Sequence, residues 1–201
     1  MADSASTPKM KTLISVDELI ALNDDVRLFD VRSALQAHNN GRDASQAGHI
    51  PKAMFANLET DLSQQVIAGK TGRHPLPNRA DFEACVKNWG VKNTDHVVVY
   101  DDGPGAFAAR LWWMFRWLGH HNVSVLDGGL NAWLAANQTI TTTEPTFARS
   151  DFTAKTAITQ LIEAPEIPHF NGIITDARHY PRFIGDVEPI DPVAGHIPDA
   201  I

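Results

Sequence analysis

Ala47-Gly48-His49-Ile50-Pro51-Lys52-Ala53 returns later in the chain as Ala194-Gly195-His196-Ile197-Pro198-Asp199-Ala200. A second matched pair precedes it in the same order: Leu28-Phe29-Asp30-Val31-Arg32 and Ile174-Thr175-Asp176-Ala177-Arg178. The offsets are 147 and 146 residues, so a one-residue indel separates the pairs. Two motifs repeated in order at nearly one spacing indicate a tandem duplication of one domain. The first copy continues well beyond Gly48, to a helix holding Trp133, whereas the second reaches Ile201 six residues after Gly195. The expectation is a C-terminally truncated piece of a longer protein, because half a duplicated domain would leave its apolar faces unpartnered. The expected organisation is residues 1–138 as the first domain, 139–150 as a Thr-rich linker, and 151–201 as the opening of the second.

The chain has 201 residues, 43% of them apolar and 20% charged, with a net charge of −7. That is ordinary globular composition. The acidic balance argues against a nucleic-acid binder, whose affinity comes from neutralising phosphates. No apolar run approaches the ~18 residues of a membrane span. Met1 to Thr12 is small and polar, which predicts no secretory signal. With one cysteine, Cys85, neither an intrachain disulfide nor a cysteine-based zinc site can form. A cytoplasmic location is expected.

Strand and helix patterns alternate. Val26 to Asp30 and the β-branched run His96 to Tyr100 read as strands, and the latter has the continuous apolarity of a buried parallel strand. Arg79 to Gly90 reads as a helix, with Phe82, Cys85, Val86 and Trp89 at helical spacing. Ala106 to Leu118 is a second helix, apolar almost all round and therefore expected to be buried and central. Val123 to Leu126 is a strand, and Asp127-Gly128-Gly129 turns into a helix through Trp133. Gly172 to Thr175 is expected to open a second sheet. The pattern predicts an α/β fold with a mostly parallel central sheet flanked by helices.

Asp30-Val31-Arg32, Gly48-His49-Ile50-Pro51, Val97-Val98-Val99-Tyr100-Asp101 and Leu126-Asp127-Gly128-Gly129 with Trp133 together resemble the tandem-domain rhodanese family. Gly72-Arg73-His74-Pro75-Leu76-Pro77 and Arg110-Leu111-Trp112-Trp113 resemble the first domain of its thiosulfate and 3-mercaptopyruvate sulfurtransferases. The resemblance runs from about Ile14 to Ile201. It implies a ping-pong transfer of a sulfane sulfur through a cysteine persulfide to a thiophilic acceptor such as cyanide or a thiol. No cofactor and no metal are implied. The partners are a small anionic sulfur donor and that acceptor, with a thiol-carrier protein as one candidate; neither nucleic acid nor membrane is expected.

The chemistry needs a thiolate near neutral pH, which a strand-to-helix loop favours through its backbone N–H groups and helix N-terminus. In the first copy that loop is Asp101-Asp102-Gly103-Pro104-Gly105, and the resemblance places Asp101 where the family carries its cysteine. A carboxylate cannot carry a persulfide, so the first copy is expected to be catalytically silent. The nucleophile is expected beyond Ile201, at about residue 248, one repeat after Asp101, and this fragment is expected to be inactive alone. His179-Tyr180-Pro181-Arg182-Phe183-Ile184-Gly185 resembles the family segment whose arginine faces the donor's anionic end. Arg182 is therefore the expected donor-binding residue, its planar fork suiting an oxyanion. Glu188-Pro189-Ile190-Asp191-Pro192 follows without the second arginine frequent in mercaptopyruvate-type members, a lean towards thiosulfate.

Arg73 and His74 are candidates for substrate binding at the cleft. Asp30, Arg32, Asp176 and Arg178 are expected to brace their loops, since the pattern recurs in the silent copy. His49 and His196 are expected as turn histidines. Cys85, mid-helix between Phe82 and Trp89, is expected to be a structural thiol. No histidine pair has helical metal-binding spacing with a carboxylate. A non-catalytic rhodanese-like module for binding or regulation is the alternative. A cysteine in the second copy's loop would distinguish the two.

Overall fold

The computed structural model describes residues 11–22, 26–33 and 40–201. The N-terminal residues read above for a signal fall outside these, apart from Lys11 and Thr12. Contacts divide the chain into two units, Met1–Gln160 and Leu161–Ile201.

The first unit is an α/β domain. Its strands are β1 (Leu13–Ile14), β2 (Val26–Asp30), β3 (Met54–Phe55), β4 (His96–Tyr100) and β5 (Val123–Leu126). They form one parallel sheet in the order β1-β5-β4-β2-β3. The helices are α1 (Val16–Leu22), α2 (Asn40–Ala47), α3 (Arg79–Asn88), α4 (Ala106–Trp117) and α5 (Gly129–Ala135). Successive strand residues face opposite sides, and this sorts the core. Phe29, Val97 and Val99 pack with Phe82 and Val86 of α3 and Leu111, Met114 and Phe115 of α4. Leu28, Val98 and Tyr100 pack on the other face with Leu19 of α1 and Leu130 and Trp133 of α5. Covered on both faces, β4 is apolar throughout after His96, as a central parallel strand should be.

Helix α4 corrects one expectation. It buries one side, through Ala108, Leu111, Met114 and Phe115, while Trp112, Trp113 and Trp117 are only half-buried. Trp113 and Trp117 stack with centroids 5.8 Å apart, and the Trp112 indole N–H donates to the Val123 carbonyl at 3.2 Å. An all-round apolar pattern thus conceals indoles that lie on the outer flank of a helix packed on one face of the sheet. Short or weakly patterned β1, α1, α2 and β3 were not foreseen from the sequence.

The segment expected as a linker also behaves differently. Thr141 exchanges two backbone hydrogen bonds with His49, both 2.9 Å. The Ser150 N–H donates to the Lys87 carbonyl, Lys155 to Leu118, and Ile158 to Arg116. Phe152 is fully buried in the core. Gly119, at φ +79, lets this strap pass: a Cβ there would lie 2.5 Å from the Thr156 carbonyl oxygen. Residues 139–160 therefore belong to the first unit, and the division falls after Gln160. The apolar anchors Phe147 and Phe152 hold the strap where polar composition alone suggests a tether.

In the second unit a 3₁₀ helix spans Ala164–His169 and a short α6 spans Tyr180–Phe183. No strand forms at Gly172–Thr175. Yet the Ile201 N–H donates to Ile174 and the Asp176 N–H donates to Ile201. This places Thr175 opposite Ile201, the register that pairs Phe29 with Met54 in the first unit. One such pair is too little for a strand ladder. In the first unit the counterparts of Ile174, Ile197 and Ala200, namely Leu28, Ile50 and Ala53, pack on Val98 and Tyr100. In the second unit these residues line an open cavity of about 520 Å³. No helix among the described residues is long and apolar enough to cross a membrane.

Replacing Phe152 by Ala is expected to destabilise the first unit by about 3–5 kcal/mol in urea denaturation, the cost of deleting a buried phenyl. A change below about 1 kcal/mol would mean that the strap is a tether.

Candidate functional site

Strand β4 ends at Tyr100, and the chain turns through Asp101 to Gly105 into α4. Gly129 permits the tight approach of the neighbouring turn: a Cβ there would stand 2.2 Å from the Asp101 carbonyl oxygen. The Asp101 side chain, 1% exposed, points back into the loop. Its Oδ1 accepts the N–H groups of Gly103 and Gly105, both at 3.0 Å. Its Oδ2 accepts those of Phe107 and Ala108, at 3.1 and 3.3 Å. Four backbone donors and the positive end of a twelve-residue helix thus converge on one negative group. The loop is built to hold an anion, and the chain supplies that anion itself.

Beside it, the end of β2 carries a clamp. The Arg32 Nε donates to both Asp30 oxygens at 3.0 Å, and Nη2 donates to Oδ2 at 2.6 Å. The same Nη2 donates to the Gly48 carbonyl at 2.6 Å. Burial works against the Arg32 charge, but Asp30 outweighs it and holds the guanidinium protonated. The second unit repeats the arrangement. Arg178 Nε donates to Asp176 at 3.0 and 3.1 Å, and Nη2 donates to Asp176 at 2.7 Å and to the Gly195 carbonyl at 2.5 Å. The two repeated motifs thus make the same hydrogen bonds in both units, each arginine joining its strand-end aspartate to a glycine carbonyl.

The two turn histidines differ in setting. His49 is fully buried, with Nδ1 2.8 Å from the Ser45 carbonyl oxygen and Nε2 3.2 Å from that of Thr143. His196 is exposed and stacks on Phe183, with centroids 4.0 Å apart. Arg182, the expected donor-binding residue, is engaged by carboxylates of its own unit: Glu188 at 2.8 Å and Asp191 at 2.9 Å. In the sequence Glu188 and Asp191 stand out only for the arginine absent from their segment. Their pairing with Arg182 has no sequence signal, because it depends on how residues 184–191 curl back.

Arg73 and His74 border a cavity of about 360 Å³, also lined by Glu59, Ser63 and Val66. The His74 carbonyl accepts from Arg110 Nη2 at 3.0 Å, which also donates to the Leu62 carbonyl and the Ser63 hydroxyl. Arg110, part of the Arg110-Leu111-Trp112-Trp113 motif, thus tethers the loop to α4. Cys85 is half-buried, and burial pushes its thiol up to about 12, as suits an inert side chain.

The turn holding the Asp101 carboxylate lies at the carboxyl end of the central strand of a parallel sheet, the place where open α/β sheets bind ligands. Residues 15–136 match the family described as the rhodanese-like domain, and the chain belongs to that family. It is 48% identical over 181 residues to a Pseudomonas aeruginosa protein named "Probable 3-mercaptopyruvate sulfurtransferase", covering 88% of this chain and 64% of that protein. It is 41% identical over 201 residues to SseB of Mycobacterium tuberculosis, whose name places it among thiosulfate sulfurtransferases, covering 95% of this chain and 69% of that protein. The solved 3-mercaptopyruvate sulfurtransferase from Leishmania major superposes with a TM-score of 0.82 at 31% identity, covering 97% of this chain and 54% of that one. The chain thus spans about two thirds or less of these relatives' lengths.

Asp101→Ala would strand four N–H groups and is expected to lower the stability of the first unit by about 3 kcal/mol. Asp101→Asn keeps one acceptor oxygen and should cost clearly less; equal losses in urea melts would exclude the anion-holding account. In the second unit, hydrogen bonds from Arg178 hold Asp176 at about 2. The N–H of Asp191, then Arg182, hold Glu188 at about 2. Both values lie below the ordinary carboxylate range, so their stabilisation is complete above about pH 4.5 and is lost as pH falls through about 2. Carboxyl-carbon NMR should show both midpoints near 2, with Asp176 returning to an ordinary value in Arg178→Ala.

Proposed function

We propose that this chain is the silent first domain and the opening of the second domain of a tandem sulfurtransferase. The enzyme moves a sulfane sulfur from thiosulfate or 3-mercaptopyruvate to a thiophilic acceptor such as cyanide or a thiol. The observation that carries the reading is the Asp101 carboxylate seated on four backbone N–H groups. A thiolate or persulfide in the equivalent loop of the second copy would be stabilised by the same donors.

In that reading, a cysteine thiolate beyond Ile201 attacks the outer sulfur of thiosulfate. A cysteine S–S bond forms, the S–S bond of thiosulfate breaks, and sulfite leaves with the electron pair. Cyanide then attacks the outer persulfide sulfur, thiocyanate departs, and the thiolate is restored. Arg182 receives the oxyanion end of the donor, and Arg73 and His74 are further candidates for substrate binding, at a cavity of the first unit. Asp30, Arg32, Asp176 and Arg178 hold the loops. Thiosulfate is the favoured donor, because Ile190 and Asp191 follow Arg182 without a second guanidinium. A carrier-protein thiol is a fitting acceptor, and a cytoplasmic setting suits an enzyme whose catalytic thiolate must be kept reduced.

The test is the coding sequence past Ile201 and the activity it encodes. A cysteine is expected at about residue 248. The continued protein should form thiocyanate from thiosulfate and cyanide, and the 201-residue chain should not. Arg182→Ala in the continued protein should raise the thiosulfate KM by roughly tenfold or more, the worth of a charge-assisted bidentate contact. Enzymatic turnover by the 201-residue chain, or a second loop without cysteine, would overturn the proposal.

A further inference from the structure

Two guanidiniums and three carboxylates meet in the second unit: Arg178 and Arg182 with Asp176, Glu188 and Asp191. Around Arg182 the edges of the guanidinium are used unequally. Nε donates to Glu188 Oε2 at 3.1 Å, and Nη2 donates to Oε1 and Oε2 at 2.8 and 2.9 Å. That closes the Nε/Nη2 edge. Glu188 is fixed in this role: its side chain is 5% exposed, and its Oε1 accepts the N–H groups of Ile190 and Asp191, both at 3.0 Å.

The second edge, between Nη1 and Nη2, meets a different group. Asp191 Oδ2 accepts from Nη2 at 2.9 Å, and Nη1 carries none of these bonds. The Asp191 side chain is 37% exposed, so this carboxylate is far more open to solvent than Glu188. A guanidinium receives an oxyanion through two parallel N–H groups of one edge. With Glu188 on the first edge, an incoming oxyanion has the Nη1/Nη2 edge, and it meets Asp191 there.

We propose that Asp191 is a built-in competitor for the oxyanion of the donor at Arg182, so that donor affinity is set by displacement of this carboxylate. The inference rests on the reading of Arg182 as the donor-binding residue and adds a determinant of specificity to it. Displacement exchanges one carboxylate charge for the ligand's. A dianionic head such as thiosulfate therefore gains over a monoanionic carboxylate such as that of 3-mercaptopyruvate. Glu188 is a positioning residue, orienting the guanidinium without meeting the ligand.

The experiment is calorimetric titration of thiosulfate into the 201-residue chain and its variants, with far-ultraviolet circular dichroism to establish folding. Asp191→Asn should bind thiosulfate about fivefold more tightly than the parent chain, the upper range for a partly exposed ion pair. Asp191→Glu should restore the parent affinity. Asp191→Ser removes the same charge and serves if the Asn variant misfolds. Arg182→Ala, alone or with Asp191→Asn, should lose binding. Unchanged or weaker binding by both neutral Asp191 variants, with loss in Arg182→Ala, would overturn the competitor and leave the Arg182 reading standing. Retained binding in both Arg182→Ala backgrounds would overturn the Arg182 reading, and the competitor with it. No binding by the neutral Asp191 variants up to about 10 mM thiosulfate would also overturn the proposal.

Discussion

The aspartate at the end of a strand, gripped by the arginine two residues on, is the constraint from which the site geometry follows. Asp30 is fully buried and Arg32 nearly so, so each charge is tolerable only because the other is there. Breaking such a buried pair from one side costs about 3–5 kcal/mol, since the remaining charge has no water to turn to. The pair also does spatial work: Arg32 Nη2 reaches across to the Gly48 carbonyl. It thereby ties the carboxyl end of β2 to the turn that leads into β3. The Ile50 N–H donates to the Tyr100 hydroxyl in the same corner, which draws the end of β4 into the arrangement. The loop bearing Asp101 starts from that fixed point.

Beyond the clamp, backbone and helix supply the electrostatics. The Asp101 carboxylate takes the N–H groups that a strand-to-helix turn leaves without partners. One side chain thus seals the turn by accepting four backbone N–H groups. The domain carries the architecture of an anion site together with a residue that occupies it.

The second unit carries the same clamp in a more open setting. Arg178 and Arg182 share Glu188, at 3.5 and 2.8 Å. Cations surrounded by an excess of carboxylates are held in place more firmly than they are offered to ligand. An arginine read from sequence as a free hand is, in the folded unit, already holding something.

The sequence by itself determined the repeated motifs, the parallel α/β class, the strands β2, β4 and β5, the helices α3 and α4, and the two-residue spacing at which Asp30 pairs with Arg32 and Asp176 with Arg178. These are local matters: strand alternation, helical spacing and a partner two residues away are written within a few residues of chain. The tertiary structure decided what depends on distant segments. Residues 139–160 look like a polar tether, yet Phe152 lies in the core with apolar residues of α3 and α4. The indoles of α4 are only half-buried because they flank the side of the helix that packs into the core. Gly172–Thr175 has strand composition but no ladder, since a strand is made by its neighbours and residues 161–201 offer one pairing residue, Ile201. Glu188 and Asp191 fell on Arg182 through the curl of a proline-containing segment. A side chain's chemistry is fixed by its own residue type, but its availability is fixed by what the fold brings against it.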